Sequence, residues 1–237
     1  MIDYKYTKID IKEKICTKSC NMINVYLMQG MSANSLIFEK INFPSNFKLY
    51  YLDWLDPLKN ESLETYAKRF SALIMHDDPV LIGVSFGGVL VQEISKIIKV
   101  KKLIIISSVK SNKELPSHMR FGKATKSYKL LPIKWINDFE SLISFVLGPK
   151  IKRRVELYRK YLSVRDQNYL SWSIRELIEW KQDKPLKDVI HIHGTKDLIF
   201  PIIYLKNYIE LPRGDHAMIL KRADWINEKI PKIILGY

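Results

Sequence analysis

Cysteine is scarce: Cys16 and Cys20 are the only two in 237 residues. Two thiols cannot build a disulfide framework, and a four-residue spacing without a second pair does not make a zinc knuckle. Both are read as reduced. Long apolar runs are missing as well. Residues 1–20 alternate charged with apolar groups instead of presenting an apolar core of about 7–15 residues, and no stretch of about 20 apolar residues could span a bilayer. The expectation is a cytoplasmic protein with no membrane span. Acidic residues are outnumbered, 25 Asp and Glu against 39 Lys and Arg, for a net charge of +14. The excess is mostly Lys scattered over the whole length, and the one dense cluster is Lys152-Arg153-Arg154. No helix-turn-helix or RNP-type motif accompanies it, so a Lys-rich solvated surface is expected and no nucleic-acid partner. Attraction to acidic substrates or lipid surfaces stays open. Repeats and low-complexity tracts are absent, while 47% hydrophobic and 27% charged residues match an ordinary globular chain with a sizeable core. One domain, or one domain with an insertion, follows from the length.

Short apolar runs bounded by turn residues begin after residue 23. They are Val25-Tyr26-Leu27-Met28, Leu49-Tyr50-Tyr51-Leu52, Val80-Leu81-Ile82-Gly83-Val84, Leu103-Ile104-Ile105-Ile106 and Val189-Ile190-His191-Ile192-His193. Such runs predict strands buried on both faces. Helical spacing lies between them, at Leu63, Tyr66, Ala67, Phe70, Leu73 and Ile74, and again at Phe86, Leu90, Ile94 and Ile97. Strand alternating with helix predicts an α/β fold with right-handed crossovers and a mainly parallel sheet flanked by helices. Residues 110–185 break the alternation with three helical periods: Trp135, Phe139, Leu142, Val146; Ile151, Val155, Tyr158, Leu162; and Leu170, Ile174, Leu177, Ile178. They predict a helical lid inserted into a core formed by residues 1–109 and 186–237. Phe139, Phe145, Trp172 and Trp180 either line an apolar pocket under that lid or pack the lid's own core.

Gly83-Val84-Ser85-Phe86-Gly87-Gly88 stands where a buried apolar run ends and a helical period begins. G-x-S-x-G at a strand-to-helix turn is a nucleophile elbow, in which glycines let strand and helix approach closely around a serine at the tip. Such a pentapeptide arises by accident about 0.08 times in a chain of this length if Gly and Ser each make up about 7% of residues. No Lys follows the glycines, so the phosphate-binding Walker pattern is absent. A serine nucleophile needs a base, and the base an orienting partner. Of five histidines, His76 and His118 are expected at the surface. His191 and His193 share one face of the fifth strand; without a third ligand at suitable spacing they read as a packed, hydrogen-bonded pair, and no metal site is expected. His216 follows the loop signature Pro212-Arg213-Gly214-Asp215 and becomes the candidate base. Asp197, just past the fifth strand, becomes the candidate acid. Ser85, Asp197, His216 is one of the three known chain orders for a Ser-His-Asp triad.

With these residues in hand, the sequence resembles the α/β-hydrolase superfamily, in particular its small serine hydrolases with a helical lid. The resemblance rests on Gly83–Gly88, on His193-Gly194-Thr195-Lys196-Asp197 and on Gly214-Asp215-His216, and covers residues 23–108 and 186–235. It implies an oxyanion hole made by the backbone N–H of Phe86, next to the nucleophile, and by that of Met31 in the loop Gln29-Gly30-Met31-Ser32, with Gly83, Gly87 and Gly30 as supports. Many members carry His-Gly where this chain carries Gln29-Gly30, and Asp197 and His216 stand nineteen positions apart, closer than usual. Asp215 also adjoins the base. The implied activity is hydrolysis of a small-molecule ester or thioester of a small to medium apolar acyl group, without cofactor. Acyl transfer, a lyase reaction and a non-catalytic binding role are alternatives on the same fold, and oligomeric state is not set by the sequence.

Overall fold

The computed structural model describes residues 22–130 and 160–237. Cys16, Cys20, Lys152–Arg154, Phe139, Phe145 and most of the first two helical periods of the insertion lie outside them. The described residues form one six-stranded sheet, parallel at every pairing: β1 (Ile23–Met28), β2 (Phe47–Leu52), β3 (Val80–Val84), β4 (Lys102–Ile106), β5 (Val189–Gly194) and β6 (Ile209–Leu211). The spatial order is β2-β1-β3-β4-β5-β6. Five strands match the predicted runs; β6, three residues long, has no counterpart among them.

Side chains alternate across each strand, so a continuous apolar run supplies both faces of the sheet. On one face Tyr26, Met28, Leu81, Leu103 and Ile105 pack against α1 (Leu63–Ser71) and α2 (Phe86–Ser95) through Tyr66, Phe70, Val89, Leu90 and Ile94. On the other, Val25, Leu27, Ile82, Ile104 and Ile192 meet Phe38 and the C-terminal helix through Ile226, Ile230 and Ile234. Each such buried side chain contributes about 1.5–3 kcal/mol. Ser62 caps α1, its hydroxyl accepting from Thr65 N–H at 3.2 Å. The helical periods overrun the helices: Leu73 and Ile97 lie beyond the ends of α1 and α2 and are exposed.

Between β4 and β5 the described residues include α3 (Ser117–Thr125) and α4 (Gln167–Glu179). Helix α4 realises the third predicted helical period, with Asp166 as its cap. It is pinned to the start of α1, where Trp172 Nε1 donates to Glu61 O at 2.8 Å and the Glu176 carboxylate accepts from Leu63 N–H at 2.8 Å. Trp180 donates to Glu93 of α2 at 2.7 Å. Both tryptophans are thus part of the core cluster around α1 and α2, not of a separate core of the insertion.

The chain runs from β1 outward to β2 and then returns to place β3 on the other side of β1. The crevice outside the carboxyl ends of β1 and β3 is therefore the topological switch point, where open parallel sheets bind ligands. The first turn of α2 presses into it: a Cβ on Gly87 would collide with the Gln29 carbonyl oxygen, and one on Gly83 with that of Gly87. Backbone, unlike a side-chain tip, cannot step aside. Gly87→Ala is expected to lower the unfolding free energy by roughly 1–3 kcal/mol, the usual range for overpacking. Urea denaturation checks this, and a variant as stable as wild type would contradict the close approach.

Candidate active site

Ser85 ends β3 and opens α2 at φ 54°, ψ −122°, far from the basins ordinary residues occupy. The strain persists because the backbone is held on every side. Ser85 N–H donates to Ile106 O at 2.9 Å, and Ser85 O accepts from Gly88 N–H at 2.9 Å and Ser108 Oγ at 2.7 Å. The hydroxyl is thereby aimed out of the sheet edge, 3.0 Å from His216 Nε2. His216 Nδ1 lies 2.8 Å from Asp197 Oδ2, and Asp197 Oδ1 accepts from Ile199 N–H at 2.8 Å and Phe200 N–H at 3.0 Å. The three residues singled out in the sequence are thus joined in one chain of contacts.

The short interval between Asp197 and His216 has a structural cause. β5 and β6 are neighbours, and the loops that leave them are sewn together by Thr195 N–H to Leu211 O at 3.2 Å and Lys196 N–H to Gly214 O at 2.8 Å. Gly194 packs directly on the Gly214 backbone, so no longer excursion is needed to bring Asp197 and His216 together. Asp215 does not compete for the imidazole. Its Oδ1 accepts from Ala217 N–H at 3.1 Å, and its Oδ2 pairs with Lys221.

Asp197 is fully buried, and burial alone would raise its pKa. The charge and hydrogen bond of His216, with the Phe200 N–H and His193, outweigh that and hold the carboxyl below its usual range.

The loop after β1 lies against the serine, since a Cβ on Gly30 would come within 3.2 Å of Ser85 Cβ and 3.8 Å of Ser85 Oγ. Gly30 O accepts from Ala33 N–H and from Trp54 Nε1, each at 3.1 Å. A trans peptide directs its C=O and N–H oppositely, so these two donors turn the Met31 N–H away from themselves. The Phe86 N–H and the Met31 N–H have no acceptor among the described residues. Gln29 is buried, and its Oε1 has no partner among the described residues.

Trp54, not singled out by the sequence reading, also stacks on Phe86 with ring centroids 5.5 Å apart. Behind it Tyr66, Phe70, Tyr169 and Trp172 complete an aromatic cluster. The position of Trp54, one residue past Asp53 in the loop after β2, carries no periodic signal that would have marked it.

His118 is exposed as expected, and His76 is half-buried beside the stacked Tyr26 and Tyr50 rings. Its Nδ1 lies 2.6 Å from Tyr26 Oη and its Nε2 3.1 Å from Tyr50 Oη. His191 and His193 form the expected imidazole pair, Nε2 to Nδ1 at 3.0 Å. Among the described residues no group of three or more His, Cys, Asp or Glu side chains is placed to hold a metal, and no helix is long and apolar enough to cross a membrane.

No family model matches the chain, and no curated protein does. Solved structures do match it along nearly the whole length. A hydrolase from Oleispira antarctica superposes with a TM-score of 0.67 at 13% identity, covering 91% of this chain and 92% of that one. A lipase-esterase related protein from Clostridium acetobutylicum gives 0.62 at 17% identity, covering 90% of this chain and 94% of that one. A thermophilic esterase from Thermogutta terrifontis gives 0.60 at 14%, covering 90% and 89%. The chain has the α/β-hydrolase fold. A candidate non-heme bromoperoxidase from Mycobacterium tuberculosis matches equally well, with a TM-score of 0.68, so the fold alone does not choose a reaction.

The paired imidazoles give the fold a pH dependence. Burial disfavours a proton on either ring, assisted at His191 by His193 and Lys110; at His193 the Asp197 charge opposes it without prevailing. Both pKa values are lowered from 6.5. The unfolded chain therefore binds these protons first. Stability is fully present above about pH 6.5 and falls as pH drops below it, by up to about 1.4 kcal/mol per pH unit for each imidazole. Denaturant midpoints measured from neutral pH downward check this, and a flat profile would contradict it.

Proposed function

We propose that the chain is a serine hydrolase that cleaves a carboxylic ester or thioester through an acyl-enzyme on Ser85. The observation that carries the reading is the unbroken Ser85 Oγ, His216, Asp197 chain, at 3.0 and 2.8 Å, on a strained strand-to-helix turn. His216 Nε2 takes the hydroxyl proton as Oγ attacks the acyl carbon. The imidazolium is stabilised at Nδ1 by Asp197, and the oxyanion by the Phe86 and Met31 N–H groups. His216 then returns the proton to the departing alkoxide or thiolate, and water repeats the sequence to free the acid. The proposed steps use only the chain's own groups and water.

The aromatic cluster beside the oxyanion loop supports a small to medium apolar acyl group, and residues 110–185 would act as a lid over residues 1–109 and 186–237. Acyl transfer, a lyase reaction and non-catalytic binding are the competing readings. A set of ester, thioester and amide substrates of matched acyl length, assayed with and without an added alcohol acceptor, separates hydrolysis from transfer. Absence of any turnover would favour the binding role or a lyase.

Ser85→Ala is expected to lower kcat by roughly 10⁶, on the scale of a triad nucleophile. A variant that keeps a tenth of the wild-type rate would refute the assignment. Trp54→Phe keeps a ring on Phe86 but removes the donor to Gly30 O. Its kcat should fall roughly tenfold with little change in KM, less than loss of an oxyanion donor itself costs; an equal rise in KM would instead mark Trp54 as a substrate contact.

A further inference from the structure

The buried histidine pair on β5 takes no part in the proposed reaction, yet it touches the acid. His193 Nε2 lies 2.9 Å from Phe200 O and 3.3 Å from Asp197 Oδ2. A carbonyl oxygen only accepts, so Nε2 of His193 carries the hydrogen and gives it to Phe200 O, while the Asp197 carboxylate lies beside that N–H as an electrostatic contact. In the neutral ring Nδ1 is then a lone pair. It faces His191 Nε2 at 3.0 Å, which must therefore be an N–H donor. His191 thus locks His193 in the tautomer that holds its N–H on Phe200 O and beside Asp197.

Phe200 closes the arrangement. Its carbonyl accepts from His193, its N–H donates to Asp197 Oδ1 at 3.0 Å, and its ring lies edge-on to His216 at 5.7 Å. The groups facing the pair also favour a neutral state. Tyr208 packs on both rings, at 5.9 and 6.0 Å. The buried Lys110 ammonium, held by Lys206 O, Asn207 O and, at 3.7 Å, Glu114, adds positive charge beside His191. His216 lies on the far side of Asp197.

We propose that His193, locked by His191, is a positioning residue whose Nε2–H fixes the direction and acceptor strength of the Asp197 carboxylate toward His216. The proposal rests on the serine-hydrolase reading above. The Nε2–H dipole beside Oδ2 tempers the carboxylate's hold on the His216 imidazolium, and its bond to Phe200 O steadies the peptide segment whose Phe200 N–H donates to Oδ1. Without that N–H only His216 faces Oδ2, the protonated base persists to higher pH, and the carboxylate's alignment loosens.

The test compares wild type with His193→Gln, which keeps an amide N–H near the Nε2 position, and His193→Phe, which keeps a ring without a donor. The readouts are kcat, KM and the pH profile of kcat/KM on the best ester substrate. His193→Phe should lower kcat roughly tenfold, far less than the ~10⁴ lost when the acid no longer fixes the base's tautomer. Its KM should stay unchanged and its acid limb should move up by about half a pH unit or more. His193→Gln should restore both. An acid limb that does not move in a folded His193→Phe, or equal losses in the two variants, would overturn the proposal and mark a purely structural pair. Should either variant fail to fold, long-range proton–nitrogen NMR of wild type decides. A neutral His193 with hydrogen on Nε2 across about pH 6 to 9 supports the proposal, and hydrogen on Nδ1 refutes it. Wild type that turns over no ester or thioester would fell the hydrolase reading itself and this inference with it; turnover with an unmoved acid limb would fell the inference alone.

Discussion

The rest of the site depends on how closely the first turn of α2 approaches the end of β1. Gly83 and Gly87 give up their side chains so that backbone can lie on backbone, and the chain between them is forced through a conformation with positive φ at Ser85. Strain of that kind costs about 1–3 kcal/mol and survives only where the surroundings over-determine it. Here Ile106, Gly88 and Ser108 hold the Ser85 peptide groups from three directions. One constraint therefore sets two positions at once: the hydroxyl that faces His216, and the loop after β1 whose Gly30 abuts it.

A second close approach does the same for Asp197 and His216. Gly194 against Gly214 joins the loops after β5 and β6, and Lys196 N–H to Gly214 O fixes their offset. Asp197 is then buried with both carboxylate oxygens engaged, which is what keeps it ionised in a place that would otherwise favour the neutral acid. Polar order extends inward from there, through His193 to His191, whose Nδ1 has no partner among the described residues. Apart from that atom the network is paired, and its members consequently restrict one another.

The sheet is legible in the sequence because each of its first five strands is a compact apolar run with alternating faces, bounded by turn residues. Ser85, Asp197 and His216 are legible for a related reason: each sits in local turn chemistry (Gly-x-Ser-x-Gly, Gly-Thr-Lys-Asp, Gly-Asp-His) directly after a strand. β6 escapes because three residues are too few to show a period. Trp54, Tyr169 and His76 escape because their roles come from partners far away in the chain, such as Gly30 for Trp54 and the Tyr26–Tyr50 stack for His76. Trp172 and Trp180 are visible as aromatics, but whether they pack the core or face a ligand depends on the Glu61 and Glu93 acceptors that the fold supplies.

The central claim is that Ser85 is an activated nucleophile. Its most direct test is covalent labelling with a fluorophosphonate probe followed by peptide mapping, on wild type and on Ser85→Ala side by side. The account predicts a single adduct on Ser85 that is absent from the variant. Folded wild type that stays unlabelled, or an adduct that persists when Ser85 is removed, would contradict it.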